Sequence, residues 1–283
     1  MRFVIRRIEG YSAANLSEGV CLLLGFFSRG EIDAFLPNGF FQFLSTEQIS
    51  LRFAGASQNL TVLCKEDIRM NCRLVIFDMD GTVLDTLEDL TDATNYALSL
   101  KGFRTRTVDE IRAVVGNGVV NQIRKSLPPD ADEGTVSEVV SVYKEYYTSH
   151  MNVKTRPYAG IVELLKRLRE RNIQIGVSSN KFDPAAKGLS REYFGSLVDF
   201  TEGESPETPK KPDPTGTLKI LRLAGAKKEE TLYVGDSPTD VQTAKNAGLA
   251  MIAVTWGFRT REQLAEAGAR NFIDRPDELI GWL

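Results

Sequence analysis

Cysteine is scarce. The 283 residues hold three, Cys21, Cys64 and Cys72, an odd number with no CxxC spacing. This argues against a disulfide framework or a thiolate zinc site and fits a reducing cytosol. Net charge is also nearly absent, with 35 basic residues against 38 acidic ones. Neither nucleic acid nor an anionic membrane is therefore expected as the main partner, and a small-molecule site is. There is no long hydrophobic run. Val20 to Phe27 is too short to span a bilayer, and Glu9 and Glu18 before it do not suit a signal peptide. The expectation is a soluble, unexported, cytoplasmic protein. Internal repeats and low-complexity tracts are missing too. The single histidine, His150, falls near the end of a predicted helix, where a cationic imidazole is favoured, and reads as a surface residue rather than a catalyst.

What is present is an alternation of strand and helix from residue 73 onward. Arg73 to Phe77, Ile173 to Ser178, Leu232 to Val234 and Met251 to Val254 are short apolar runs, each separated from the next by helical sequence. Ile161, Leu164, Leu165 and Leu168 recur at helical spacing just before the second run. Such alternation predicts an α/β fold, a doubly wound parallel sheet wrapped by helices. The chain is long enough for one large core and a smaller domain.

Two segments break the pattern. Residues 88–156 contain no convincing strand and read as an inserted helical unit, a lid: Leu87, Leu90 and Leu98 in one helix, a capping box of Thr107 and Glu110 opening a second, and Val136, Val139, Val140 and Tyr143 in a third. The catalytic α/β core is then 70–87 together with 157–283. Residues 1–69 hold over half of the fifteen phenylalanines and glycine-bounded runs such as GFFQFL, which read as a few short strands. They are either a small added β module or a stretch lying upstream of the enzyme proper.

Ligands of open parallel sheets bind at the carboxyl ends of the strands. Four groups fall at such ends. In DMDGT, Asp78 and Asp80 project from one strand end and Gly81 turns the backbone; the plain alternative is an Asp-Gly turn with a threonine cap. In VSSNK, Ser179, Asn180 and nearby backbone N–H groups face an anion at a helix N-terminus, or simply cap that helix. In KKPDP, Lys211 neutralises phosphoryl charge, with Lys210 competing for the role. In GDSPTD, Ser237 is an N-cap, Pro238 the first helical residue and Asp240 a first-turn acid, whereas Asp236 precedes the cap and faces the first acid pair. Three converging carboxylates repel unless a cation sits between them, and oxygen-only ligands suit Mg²⁺. Acids, hydroxyl and lysine together describe a phosphoryl-transfer site.

In this order the motifs DMDGT, SSN, KP and GDSPTD resemble those of the haloacid dehalogenase-like hydrolases, over about three quarters of the chain. The helical insertion resembles that family's small α-helical cap. VVGNGVV, residues 114–120, and VTWGFRTREQL are similar to segments of its phosphoglycolate phosphatase subgroup.

The resemblance implies a division of roles. Asp78 is the nucleophile that forms an aspartyl-phosphate. Asp80 is the general acid and then the base. Mg²⁺ is held by the Asp78 carboxylate, the Asp80 backbone carbonyl and Asp236. Ser179, Asn180 and Lys211 hold phosphoryl oxygens, and Asp240 orients the lysine or a metal-bound water. The acid at Asp80 sets the chain apart from the dehalogenases, which lack it. Gly116, Asn117 and Gly118 place donors over the site and read the substrate; as a plain alternative they form a helix C-cap turn. The expected activity is a Mg²⁺-dependent phosphatase of small phosphorylated metabolites, with phosphoglycolate foremost, acting as a monomer or homodimer. Alternatives are a phosphosugar mutase, or a partner-binding protein acting through residues 1–69.

Overall fold

The computed structural model describes residues 72–283 in full and the backbone of strands within 39–63. The chain divides into two units, Met1–Ile68 and Arg69–Leu283. In the first, β1 (Gly39–Ser45), β2 (Gln48–Phe53) and β3 (Leu60–Leu63) pair antiparallel in the order β1-β2-β3. GFFQFL, a glycine-bounded apolar run, is the body of β1. Cys21, Cys64 and the Val20 to Phe27 run lie outside the described residues, and Cys72 is a free thiol.

The second unit is built on a parallel sheet. Its strands are β4 (Leu74–Phe77), β7 (Gln174–Phe182), β8 (Phe200–Glu204), β9 (Thr231–Gly235), β10 (Ala250–Val254) and β11 (Phe272–Ile273), in the order β11-β10-β9-β4-β7-β8. β4 lies in the middle, parallel to β7 on one side and β9 on the other. Its sequence LVIF is apolar at every position because both faces are covered. Val75 and Phe77 pack with Leu164, Leu168 and Leu189 on one side; Leu74 and Ile76 pack with Ile220, Tyr233 and Ala244 on the other. The covering helices are α5 (Ile161–Glu170), α6 (Asp183–Phe194), α7 (Thr215–Ala224) and α8 (Pro238–Ala247), with α9 (Arg261–Glu266) near the β10 edge. The four expected strands are all present. β8 and β11 are additional: FTEGE is half polar, and β11 is two residues long.

The insertion leaves the core by β5 (Leu84–Asp85) and returns by β6 (Arg156–Pro157), which pair antiparallel as a narrow two-strand neck. Between them lie α1 (Leu87–Leu100), α2 (Val108–Val114), α3 (Val119–Ser126) and α4 (Glu133–His150). Thr107 and Glu110 form the capping box that opens α2. Leu87, Leu90, Leu98, Val136, Val139, Val140 and Tyr143 share the interior of this cap. α3 went unread because its few apolar residues follow a Gly-Asn-Gly turn. Buried Asp89 in α1 accepts from the backbone N–H groups of Lys154, at 3.0 Å, and Thr155, at 2.8 Å, and so fastens the returning chain to the cap. Among the described residues, no helix is long and apolar enough to cross a membrane.

Candidate active site

The site is a consequence of register. Phe77 of β4 stands opposite Val177 of β7 and Val234 of β9. The residues after each, Asp78, Ser178 and Gly235, therefore stand at one level, where β4 ends and β9 reaches its last residue while β7 runs on, and Asp236 comes in beside Asp78. Gly81 has φ +87°, and a Cβ there would come within 2.8 Å of the Asp236 carboxylate carbon, so the turn of DMDGT admits only glycine. Thr82 Oγ1 donates to Asp236 Oδ1 at 3.0 Å and the Phe258 N–H to Oδ2 at 2.7 Å, which fixes that carboxylate.

Lys211 is buried between two acids. Its Nζ lies 2.7 Å from Asp78 Oδ1 and 2.8 Å from Asp240 Oδ1, and also donates to the Ser178 carbonyl at 3.0 Å. Lys210 beside it is exposed. Asp240 closes the capping box of α8 with Ser237, accepting from its N–H at 3.0 Å and its hydroxyl at 2.6 Å on Oδ2. Tyr233 completes the set by donating to Asp240 Oδ1 at 3.1 Å. Every oxygen of Asp240 is thus engaged by the protein. Asp78 Oδ1 accepts from the Met79 N–H at 2.6 Å in addition to Lys211.

One oxygen each from Asp78, Asp236 and Asp240 lies within 4.8 Å of the others, all buried. The trio differs from the expected one. The carboxylates that converge are these three, while that of Asp80 turns aside; its expected contribution was the backbone carbonyl. Burial, then the charge of Asp240, pushes Asp236 up from 3.8 to about 7, against the pull of the Phe258 and Thr82 hydrogen bonds. Asp78 is also raised well above the ordinary carboxylate range, by burial and by Asp240, although Lys211 opposes the rise. Burial alone would lower Lys211, but the charges of Asp240 and Asp78 outweigh it and raise it. A set of buried oxygen donors carrying excess negative charge fits a hard divalent cation such as Mg²⁺.

Asp80 faces the cap. Its Oδ1 accepts from Thr86 Oγ1 at 2.6 Å and lies 3.1 Å from Lys181 Nζ. Lys181 in turn donates to the Tyr147 hydroxyl of α4 at 2.7 Å and lies 4.6 Å from that ring's centroid. Sequence reasoning passed over Lys181, the last residue of VSSNK. Its signal was present, a lysine following directly on the Ser-Ser-Asn run that was singled out, in a strand buried from Ile175 to Lys181. β7 continues to Phe182 and α6 begins only at Asp183, so Ser179 and Asn180 belong to the strand and neither caps that helix. Ser179 Oγ accepts from the Lys181 N–H at 3.1 Å. The side chain of Asn180 is fully spent: Oδ1 accepts from the Lys211 N–H at 2.6 Å, and Nδ2 donates to the carbonyls of Gly116, at 2.9 Å, and Lys211, at 3.2 Å.

The glycine-rich cap loop lies against the core. Besides Gly116, Asn117 Oδ1 accepts from Thr239 Oγ1 at 2.8 Å, and Gly118, at φ +79°, lies near Glu204, whose Oε2 would be 3.1 Å from an added Cβ. The C-cap alternative applies only in part, because α2 ends at Val114 with extended Val115 after it and Gly118 is the N-cap position of α3. Arg259 was also missed. Nη1 donates to the Arg112 carbonyl and Nη2 to that of Val115, each at 2.7 Å, from the loop that carries Phe258. His150 ends α4, exposed, with its ring stacked on Tyr146 at 3.9 Å.

Residues 75–254 match the family of haloacid dehalogenase-like hydrolases. A phosphoglycolate phosphatase of Pseudomonas syringae pv. tomato is 31% identical over 214 residues, 74% of this chain and 78% of its own. One of Mesorhizobium japonicum is 30% identical over 203 residues, 68% of this chain and 86% of its own. A crystal structure from Lactobacillus delbrueckii subsp. bulgaricus, 35% identical, superposes with a TM-score of 0.69 over 73% of this chain and 96% of that one. The chain belongs to the haloacid dehalogenase-like hydrolases. Within that family it is an enzyme, a phosphatase.

Proposed function

We propose that the protein hydrolyses small phosphomonoesters through a phosphorylated Asp78, with 2-phosphoglycolate the foremost substrate. The observation that carries this reading is the buried Asp78, 2.7 Å from Lys211, beside Asp236 and with a second aspartate two positions on. The relatives named phosphoglycolate phosphatase support the choice of substrate.

In the first step the Asp78 carboxylate attacks phosphorus while the bond from phosphorus to the alcohol oxygen breaks, and Asp80 gives that oxygen its proton. In the second step Asp80 takes a proton from water, the water oxygen bonds to phosphorus, and the bond to Asp78 breaks, releasing phosphate. Lys211 and the Ser179 hydroxyl hold phosphoryl oxygens, and Asp240 positions Lys211. Asn180, its side chain already engaged, positions the Lys211 loop and the Gly116 turn. Asp78, the Asp80 carbonyl and Asp236 would hold Mg²⁺, which when bound supplies charge neutralisation to the phosphoryl group. Gly116, Asn117 and Gly118 close over the substrate. A cytoplasmic location accords with the reading.

The test is phosphate release from a panel of small phosphoesters with and without Mg²⁺. Release from 2-phosphoglycolate only in the presence of the ion is expected. A panel on which no ester is cleaved at any Mg²⁺ concentration would overturn the reading.

A further inference from the structure

We propose that Lys181 is the group through which this enzyme recognises an anionic substituent, a carboxylate, on the leaving alcohol of its substrate. The proposal rests on the phosphatase reading above and adds to it the residue that selects the substrate class.

Lys181 and Lys211 are the only buried cationic side chains among the described residues. Lys211 sits on the phosphoryl side, against Asp78, and its ammonium meets four polar atoms: Asp78, Asp240, the Ser178 carbonyl and the Tyr233 hydroxyl. Its three hydrogens are more than matched. Lys181 sits on the other side, against Asp80, the residue that delivers a proton to the leaving oxygen. Its ammonium meets only two polar atoms, the Asp80 carboxylate at 3.1 Å and the Tyr147 hydroxyl at 2.7 Å, although its side chain is only 3% exposed. One of its three hydrogens therefore has no oxygen or nitrogen acceptor among the described residues; its remaining neighbour is the face of the Tyr147 ring, 4.6 Å away at the centroid. A buried ammonium with an unspent donor is costly, and an anion arriving there relieves the cost.

The position defines what that anion belongs to. A group hydrogen-bonded to Lys181 lies beside Asp80 and hence beside the ester oxygen that Asp80 protonates. A carboxylate attached one carbon from that oxygen reaches such a place; a neutral alkyl chain leaves the ammonium unsatisfied. The two buried cations thus match an ester with two anionic ends, phosphoryl toward Lys211 and carboxylate toward Lys181. Among the described residues no other cation competes for the role: Lys210 is exposed, and Arg259 is committed to cap carbonyls. Tyr147 comes from the cap and Lys181 from the core, so the recognising ammonium is completed only with the cap in place. The opposing view gives Lys181 nothing to do beyond orienting Asp80.

The experiment compares kcat/KM of the full chain, with Mg²⁺, on 2-phosphoglycolate and on ethyl phosphate, which has the same carbon count and no carboxylate. The wild type is expected to favour phosphoglycolate by about tenfold to hundredfold, chiefly through KM, the worth of one hydrogen bond between charged groups. In Lys181→Met that preference falls to within about threefold, while competitive inhibition by inorganic phosphate persists and shows the phosphoryl end intact. A wild type without preference overturns the proposal. So does a Lys181→Met variant whose kcat drops equally on both esters with the ratio kept, the mark of a residue that only orients Asp80. Should that variant not fold, Lys181→Arg replaces it: a larger drop for phosphoglycolate than for ethyl phosphate supports the assignment, and an equal drop overturns it. Failure of the phosphatase reading looks different, because then neither ester releases phosphate and the assignment falls with it.

Discussion

Arg259, carried by the core, donates to the Val115 carbonyl of the cap at 2.7 Å. The last carbonyls of a helix lack partners within it, and here a guanidinium from another part of the molecule supplies one, together with the Arg112 carbonyl. Because the same loop holds Asp236 through Phe258 N–H at 2.7 Å, the closed cap and the acid site share one support.

Removing that clasp should loosen the cap. Arg259→Met is expected to lower kcat/KM by about tenfold, mostly by raising KM, since charged hydrogen bonds contribute about 1.5–3 kcal/mol each and part is recovered by water. Hydrogen exchange in α2 and in the 115–118 loop should accelerate while that of the β4 and β9 strands does not. Unchanged exchange in the cap loop would count against the clasp.

Asp78→Asn should abolish turnover, by at least about a thousandfold, because an amide cannot form the acyl phosphate. The fold should persist, since the change removes a charge whose burial already opposes ionisation. Mass spectrometry of acid-quenched protein with substrate should find a phosphoryl adduct in the wild type and none in the variant. Residual turnover near the wild-type rate would exclude the covalent route.

Lys211→Met strands Asp78 and Asp240, which lie 2.7 and 2.8 Å from the lost ammonium, without a counter-charge in a buried site. Breaking such a pairing costs about 3–5 kcal/mol, so denaturant unfolding should shift by that order and activity should vanish. A variant with wild-type stability would mean that another group neutralises the acids.

The acids also make stability depend on pH. Asp236 has an ordinary value of 3.8 and a folded value of about 7. Between those values the folded chain binds more protons than the unfolded one, so the stability of the metal-free protein falls as pH rises through this window. A ligating carboxylate must be deprotonated, so Mg²⁺ affinity rises with pH over the same range. Thermal melts with EDTA or Mg²⁺ at pH 5 and pH 8 are the measurement. The increase in Tm on adding the ion should be larger at pH 8, and an increase independent of pH would contradict the assignment of Asp236.

Gly235→Ala is a steric counterpart. An added Cβ would meet the Cβ and Cγ of Asp240 at 2.5 Å, contacts too close to be absorbed without moving that acid. Overpacking of this kind costs about 1–3 kcal/mol, and activity should fall with Tm because Lys211 loses its alignment. A fully active, equally stable variant would show that the strand end yields more than its burial suggests.

Local patterns carried much of this molecule. The apolar runs of β4, β7, β9 and β10, the helical spacing of Leu164, Leu165 and Leu168, and the Thr107 and Ser237 caps are decided by near neighbours, so they are legible one segment at a time. β8 was not, because the half-polar FTEGE becomes a strand only through pairing with β7. The candidate acids were likewise visible as residues at strand ends, but their grouping was not. Asp80 looked like a member of the central cluster, whereas its carboxylate pairs with Lys181 and leaves Asp240 near Asp78 and Asp236.

By itself, the sequence determined the α/β class, the helical insertion and the chemical types gathered at the strand ends, because hydrophobic period and turn chemistry act over a few residues. Only the tertiary structure decided which atoms meet: the alignment of Phe77 with Val177 and Val234, the commitment of Asn180, the second buried cation at Lys181 and the Arg259 clasp. These depend on strand register and on how the cap sits on the core. Both arise from contacts between residues tens to well over a hundred positions apart, which no local pattern encodes.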